Sequence, residues 1–175
     1  MKITQTYLKQ RLHYDPETGV FTWLRRSGAT MGERLFNTKF SGKRAGYIWT
    51  YKKSRTKYRS IHLIGTYQEH RLAFLYITGR FPKTGVDHID GDGLNNKWNN
   101  LRKANQSQNK ANGRLNLNNT TGFKGVTFQK ITNKYCAQIY VRGRNISLGC
   151  FNSAKAASIV YRDASKKYFG EFARS

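Results

Sequence analysis

The sequence predicts an α+β fold built from two modules, and three observations support this. The chain has 175 residues, which is enough for one ordinary domain or two small ones. Short segments of alternating apolar residues are interleaved with segments of helical periodicity. The composition changes at an Asn-rich stretch, residues 112–121, that lacks hydrophobic periodicity. We therefore predict a first domain at residues 1–112, a linker at 113–121 and a second domain at 122–175.

The first domain is predicted to open with a helix and a strand. Residues 3–12 carry apolar side chains at the spacing of a short amphipathic helix, and Pro16 and Gly19 then impose a turn. Val20–Trp23 has the composition of a strand. Residues 25–45 are basic, contain glycine and show no clear period, so we predict a loop there.

A hairpin and a second helix are predicted next. Alternating side chains in Gly46–Tyr51 and Tyr58–Ile64 flank a basic tip, which predicts two paired strands. Glu69–Thr78 has helical spacing and is followed by Gly79.

The remainder of the first domain is predicted to be a strand, a polar loop, a second strand and a helix. The strands are placed at Val86–Ile89 and near Trp98–Leu101, and the helix runs from about Lys103 to Ala111.

The second domain is predicted to be a three-stranded antiparallel sheet packed on one helix. Its strands are Phe123–Gln129, Lys134–Arg142 and Arg144–Phe151, and Asn152 or Ser153 caps the helix. Apolar residues alternate with basic, polar and aromatic ones in the second strand. One face of the sheet is therefore expected to lie under the helix and the other to stay open.

The charge of the chain predicts its class of partner. Lys and Arg number 32 against 9 Asp and Glu, a formal net charge of +23. Such a field favours a polyanion, which means nucleic acid or, less favoured, an anionic membrane surface. No apolar run approaches the length of a bilayer span, so membrane insertion is excluded, and the polar start predicts no signal peptide.

The two cysteines predict an intracellular, reduced protein. Cys136 and Cys150 form no CxxC pair and do not supply the four ligands of a structural zinc site. We expect both to be packing or rim thiols.

Acidic residues are concentrated in the middle of the chain. Residues 66–113 carry 7 basic and 4 acidic side chains, and Asp87, Asp90 and Asp92 fall within six positions. A carboxylate beside a phosphate is useful when it binds a cation that bridges to that phosphate. The alternative is a simple turn, because Asp and Gly are good turn formers. Charge alone leaves both interpretations open.

The same segment holds residue types that suit phosphodiester hydrolysis. That reaction needs a base for water, and neutralisation of charge on the phosphate and the leaving oxygen. His88 could supply the base, while Asp87 and Asn109 could supply oxygen ligands for a divalent cation. Asn105 and Asn112 lie near Asn109 on the same predicted helix, and only the spacing favours Asn109. Asn100 suits a role in fixing the loop.

The pattern Asp87-His88, Asn100 and Asn109 resembles the HNH endonucleases, specifically the phage and intron-encoded, homing-like type whose first metal ligand is Asp. The likeness covers roughly residues 6–112 and includes DHIDGDGLNNKWNNLR with a downstream QNKAN. The resemblance implies a ββα-metal fold, centred on about residues 84–112, that binds one Mg²⁺ or Mn²⁺ through Asp87 and Asn109. It also implies His88 as general base, Asn100 as loop-orienting residue, products with 5′-phosphate and 3′-hydroxyl ends, and no structural zinc.

Residues 119–173 resemble the ethylene-response-factor (AP-two) type of DNA-binding domain, through TGFKGVTF, KYCAQIYV, NISLGCF and the Ala-rich helix that follows. This chain has few arginines and no tryptophan on the corresponding sheet face, so no sequence preference carries over. Together with the alternation, the resemblance predicts that the following residues face DNA: Lys124, Thr127, Lys134, Gln138, Tyr140, Arg142, Arg144 and Ser147.

These observations predict a metal-dependent DNA endonuclease that nicks or cuts double-stranded DNA, acting as a monomer or homodimer, with no small-molecule substrate or membrane partner. A phage-encoded protein of this kind would work in the cytoplasm of the infected bacterium. The alternatives are a non-catalytic DNA-binding regulator on the same scaffold and a basic RNA-binding protein. An RNA-binding function would leave the Asp87-His88 pair without a role.

Overall fold

A computed structural model of the chain describes residues 3–51 and 56–174. The residues form two compact units, Met1–Lys103 and Ala104–Ser175. This division falls nine residues before the domain boundary predicted from the sequence, because the helix that follows the second short strand is grouped with the C-terminal unit. The predicted basic tip of the hairpin lies mostly at residues 52–55, outside the described residues.

In its described residues, the first unit forms three helices and three small sheets, with the last strand reaching the unit boundary. Its elements are α1 (Gln5–Arg11), β1 (Leu12–Asp15), β2 (Val20–Trp23), α2 (Met31–Phe40), β3 (Tyr47–Thr50), β4 (Lys57–His62), β5 (Thr66–Gln68), α3 (Glu69–Thr78), β6 (Gly85–His88) and β7 (Leu101–Ala104). Strand β1 pairs with β2, β6 pairs with β7, and the third sheet has the order β3-β4-β5.

The first core forms where α3 packs with the N-terminal elements. Leu8, Leu12, Phe21, Ile61 and Leu72 are fully buried in one cluster. The helix predicted at Glu69–Thr78 is confirmed, and it ends at Gly79, which adopts the left-handed conformation with φ of +75°. The predicted strand at Val20–Trp23 and the predicted hairpin are also confirmed.

The loop predicted at residues 25–45 is wrong, because helix α2 lies within it. Thr30 caps this helix and accepts a hydrogen bond from the Glu33 backbone N–H. Met31 and Leu35 are exposed and no residue of the helix is buried, so the core imposes no apolar period on its sequence. Capping, together with Phe36 packed edge-on against Trp23, holds the segment in place.

The predicted second short strand lies three residues later than expected. Trp98–Asn100 forms a turn of 3₁₀ helix, and the strand is β7. The following helix, α4, spans Gln106–Asn112 and begins at an Asn105 capping box with Gln108.

The second unit has the predicted sheet and helix. Strands β8 (Val126–Gln129), β9 (Lys134–Val141) and β10 (Arg144–Phe151) form an antiparallel sheet in the order β10-β9-β8. Helix α5 (Ala154–Phe169) is capped by Ser153, one of the two predicted caps, and packs on Val126, Ala137 and Ile139. Among the described residues, no helix combines the length and the apolar character that crossing a membrane requires.

The prediction that Cys136 and Cys150 are free thiols is wrong. The two residues lie directly opposite each other in the β9–β10 register, with Cα atoms 4.0 Å apart, and form a disulfide. The alternation of each strand is visible in the sequence, but the register that makes the two cysteines cross-strand neighbours is set by the fold.

Candidate functional site

His88 lies at the end of β6, almost fully buried, among the rings of two other side chains. Its ring centroid is 5.1 Å from that of His70 on α3 and 6.0 Å from that of Tyr58 on β4. Burial lowers the pKa of His70 to about 3, so this neighbour is neutral. The imidazole of His88 therefore packs against two rings, and the neutral His70 ring places no positive charge beside it.

A chain of side-chain hydrogen bonds links His88 to helix α3. The Nε2 atom of His88 lies 3.0 Å from the Oδ1 atom of Asn96, and the Nδ2 group of Asn96 donates to the Oε2 atom of Glu69 at 2.6 Å. His88, Asn96 and Glu69 are 5%, 1% and 0% exposed. The chain is thus shielded from solvent over its whole length.

This chain determines which nitrogen of His88 carries the proton. The ionised carboxylate of Glu69 only accepts hydrogen bonds, so the amide group of Asn96 must present its NH₂ to Glu69. Its carbonyl oxygen then faces His88 and accepts from Nε2–H. In the neutral ring the other nitrogen, Nδ1, consequently carries the lone pair and is the basic atom.

Two arginines support the charge of Glu69. The guanidinium groups of Arg44 and Arg59 lie 3.8 and 3.9 Å from its Oε2 atom. Burial raises the pKa of Glu69 to about 7, and the arginines and the Asn96 amide oppose that rise. Glu69 therefore titrates near neutral pH, and its ionised form is the one that orients Asn96 as described.

The N-terminal hairpin supports the backbone of Asn96. The Tyr14 hydroxyl donates to the Asn96 carbonyl oxygen at 2.7 Å. Gly19, in the β1–β2 turn, has a φ of +72°, and a Cβ atom there would lie 2.3 Å from the Asn96 carbonyl carbon. Only glycine allows the turn to approach this closely.

Asp87 lies beside His88 in the sequence but contacts a different element. Its Oδ2 atom accepts a hydrogen bond from the Nε group of Arg102 on β7 at 2.9 Å, and both side chains are largely buried. The adjacent residues therefore face different surroundings, as expected for successive strand positions. Among the described residues, no group of three or more His, Cys, Asp or Glu side chains is arranged to hold a metal ion.

Asn100 lies at the base of the loop between β6 and β7. Its Nδ2 group donates to the Asp90 Oδ1 atom at 3.0 Å and to the Asn95 carbonyl oxygen at 2.8 Å, and its Oδ1 atom accepts from the Asp90 N–H. Burial works to raise the pKa of Asp90, but hydrogen bonds from Asp92, Asn95 and Asn100 hold it below its usual value. The Asp90 carboxylate therefore accepts hydrogen bonds within the turn.

Asn109, the predicted second metal ligand, belongs to the C-terminal unit. It is half-buried on α4, and its backbone N–H donates to the Asn105 carbonyl oxygen at 2.9 Å. Its role as a ligand stays a prediction.

The open face of the C-terminal sheet carries four of the predicted DNA-facing residues. The register pairs Gln138 with Ser147 and Thr127 with Cys136, and Tyr140 lies two residues after Gln138 on the same face. All four are exposed, as are Lys134 at the start of β9 and Arg142 in the β9–β10 turn.

Two other predicted DNA-facing residues have different surroundings. The Lys124 ammonium group donates to the carbonyl oxygens of Ala111 and Gly113, and burial lowers the pKa of Lys124 to about 8. Arg144 lies opposite Val141 in the register, and therefore on the helix side of the sheet. The DNA-binding role of both residues stays a prediction.

Sequence reasoning missed Asn96 and Glu69. The two residues are 27 positions apart, so no local spacing relates them. One signal was available, since Glu69 begins a helix whose other buried residues are apolar apart from His70, and a buried carboxylate needs a partner.

The segment of the chain that carries His88 is similar to known proteins. Residues 67–111 match the family model described as HNH endonuclease. An uncharacterized HNH endonuclease of Acanthamoeba polyphaga mimivirus is 35% identical over 130 residues, which cover 73% of this chain and 65%, slightly less than two thirds, of that protein. Protein 3.8 of Escherichia phage T7 is 29% identical over 89 residues, 51% of this chain and 73% of that protein. No solved structure matches the chain.

Proposed function

We propose, from the match to the HNH endonuclease family model and the orientation of His88, that this protein hydrolyses phosphodiester bonds of double-stranded DNA in a metal-dependent reaction. The observation that carries the proposal is the hydrogen-bond chain from Glu69 through Asn96 to His88, which leaves Nδ1 as the basic atom. A neutral imidazole with a fixed tautomer is what a general base for water requires near neutral pH. The expected products carry 5′-phosphate and 3′-hydroxyl ends.

The residues of the site have separate roles in this proposal. His88 accepts a proton from the attacking water at Nδ1, and the side-chain Oδ1 atom of Asn96 stabilises the charge that then develops on the ring. Glu69 holds Asn96 in the required orientation. Asn100 fixes the loop that carries Asn96, so the base does not reorient between turnovers.

The residues present fit a divalent cation with oxygen ligands. Asp87 provides a carboxylate, and Mg²⁺ is commonly held by one or two carboxylates together with waters and substrate phosphate. Asp87 and Asn109 are the residues proposed to hold it. When bound, Mg²⁺ or Mn²⁺ supplies neutralisation of charge on the phosphate and on the leaving oxygen. Arg102 already forms an ion pair with Asp87, and this pairing reduces the negative charge that Asp87 offers to a cation.

The test is the conversion of supercoiled plasmid to open-circle or linear DNA in Mg²⁺ or Mn²⁺, with EDTA as the metal-free reference. His88→Ala is expected to lower the cleavage rate by roughly 10²- to 10⁴-fold, the usual contribution of a general base. His62→Ala is the matched control, because His62 is an exposed histidine on β4 whose ring contacts Thr66.

The result decides between the enzyme and its main alternative. Cleavage that needs both metal and His88, and that survives His62→Ala, supports the nuclease, and the product form distinguishes nicking from cutting. Binding without cleavage on plasmid and on phage genomic DNA would instead support a non-catalytic DNA-binding regulator.

We further propose that the C-terminal sheet adds affinity for DNA through its open face. Gln138, Tyr140 and Ser147 offer polar groups there, and Lys134 adds charge at the start of the central strand. A small sheet with such a face has the dimensions to enter a major groove. The viral relatives are consistent with action in the cytoplasm of an infected host, with the protein as a monomer or homodimer.

A further inference from the structure

Three large aromatic side chains are exposed along strand β3. Tyr47, Trp49 and Tyr51 are 50%, 56% and 51% exposed. Alternation along the strand places them on one face, and the register pairs Trp49 with Tyr58 of β4, which belongs to the same face. We call these four residues the aromatic face.

The aromatic face continues to the catalytic histidine. The Tyr51 ring lies 6.1 Å from that of Tyr58, and the Tyr58 ring lies 6.0 Å from that of His88. Tyr51 and Tyr58 also line a cleft of about 320 Å³ together with His70 and Arg71. A ligand that lies on the aromatic face would therefore reach a cleft whose wall includes His70, and the His70 ring lies beside the ring of His88.

The charge of the protein indicates what kind of ligand the aromatic face binds. Exposed apolar side chains at the edge of a sheet commonly mark a binding surface, and a second copy of the chain is one conceivable occupant. However, Arg71 lines the same cleft as Tyr51 and Tyr58, and the whole chain is strongly basic. Two copies would bring net charges of +23 each together.

A polyanion with flat aromatic groups satisfies both the charge and the exposed rings. Nucleobases stack on Tyr and Trp side chains, while the backbone phosphates lie against Lys and Arg. In a fully paired duplex the faces of the bases are already stacked on each other, so only unpaired or unstacked bases offer a face to a protein ring.

We propose that the aromatic face binds unpaired bases of a DNA strand by stacking, and that it guides this strand into the cleft beside His88. The proposal rests on the proposed nuclease function for the identity of the ligand and deepens it. It assigns DNA with unpaired bases, such as a single strand or a distorted duplex, as the preferred ligand of the N-terminal unit. Trp49 is the central stacking residue.

The test measures binding of a labelled single-stranded oligonucleotide, and of the duplex of the same sequence, to the full chain in EDTA by fluorescence anisotropy. Trp49→Ala is expected to weaken single-strand binding by about 5- to 150-fold, the range for loss of one stacked base. Duplex binding should weaken less. Trp49→Phe, which keeps a stacking ring, should restore most of the single-strand affinity.

Ile48→Ala is the matched control, because Ile48 is 49% exposed on the other face of the same strand. Circular dichroism checks that all variants fold. Equal effects of Trp49→Ala and Ile48→Ala, or equal losses for single strand and duplex, would overturn the proposal. Loss of a homodimer in Trp49→Ala, seen by analytical ultracentrifugation, would assign the face to a second copy instead. Because no cleavage occurs in EDTA, these outcomes are independent of whether the plasmid assay supports the nuclease.

Discussion

Replacing Glu69 by glutamine should change how the stability of the N-terminal unit depends on pH. Burial raises the pKa of Glu69 from 4.5 to about 7 in the folded protein, so folding favours the protonated carboxyl. The associated stability is fully present below pH 4.5 and is lost as the pH rises through 7. A difference of this size corresponds to about 3 kcal/mol in the free energy of unfolding. The glutamine side chain of the Glu69→Gln variant has no such proton to lose, and its amide oxygen still accepts from Asn96.

The assay is urea unfolding of the wild type and Glu69→Gln at several pH values from 5 to 8.5, followed by tryptophan fluorescence. The free energy of unfolding of the variant, relative to the wild type, should rise by about 2–3 kcal/mol across this range. Other titrating groups are common to both proteins and largely cancel in the difference. A difference that stays constant with pH would refute the assignment of a raised pKa to Glu69. A difference that falls as the pH rises would show that Arg44 and Arg59 outweigh burial.

Three other contacts give testable outcomes. Asn96→Ala removes the acceptor for the Nε2–H group of His88, so it should lower the cleavage rate by about 10-fold or more. It should also change the His88 tautomer seen in long-range ¹H–¹⁵N spectra. An unchanged tautomer would contradict the role given to Asn96. Cys136→Ser should destabilise the C-terminal sheet by about 3 kcal/mol, the value for a loop of this length; thermal unfolding of the wild type with and without dithiothreitol checks it, with Cys150→Ser expected to match. Lys134→Ala should reduce the salt dependence of duplex binding by about one unit of slope if the open sheet face contacts phosphates, and an unchanged slope would remove Lys134 from that surface.

The regular elements with a buried face were predictable from the sequence. Glu69–Thr78 was predicted to its observed ends, because Leu72 and Leu75 recur at helical spacing and Gly79 terminates the helix. Arg144–Phe151 was likewise predicted to its ends. Helix α2 was missed because its stability derives from the Thr30 cap, while its apolar side chains point partly to solvent.

The candidate site was predictable only as far as its local motif. Asp87, His88 and Asn100 lie close enough in sequence for their residue types to suggest chemistry together. The residues that support His88 through Asn96 were not predictable from the sequence. Glu69, Arg44 and Arg59 come from three separate parts of the chain that only the tertiary fold brings together. The disulfide was missed for the same reason, since pairing depends on strand register.

The close fit of Gly19 against the Asn96 peptide affects how this protein can be divided experimentally. The segment that matches the HNH endonuclease family model, residues 67–111, includes Glu69, Asn96 and His88. It lacks the hairpin turn that holds Asn96, and also Arg44 and Arg59. A recombinant fragment cut to that segment would retain every residue of the motif and lose the framework that orients them. The smallest fragment suited to biochemical work therefore includes the N-terminal hairpin and helix α1, whose Leu8 is buried in the same core. Chimaeras with related proteins should exchange the hairpin and the motif as one block.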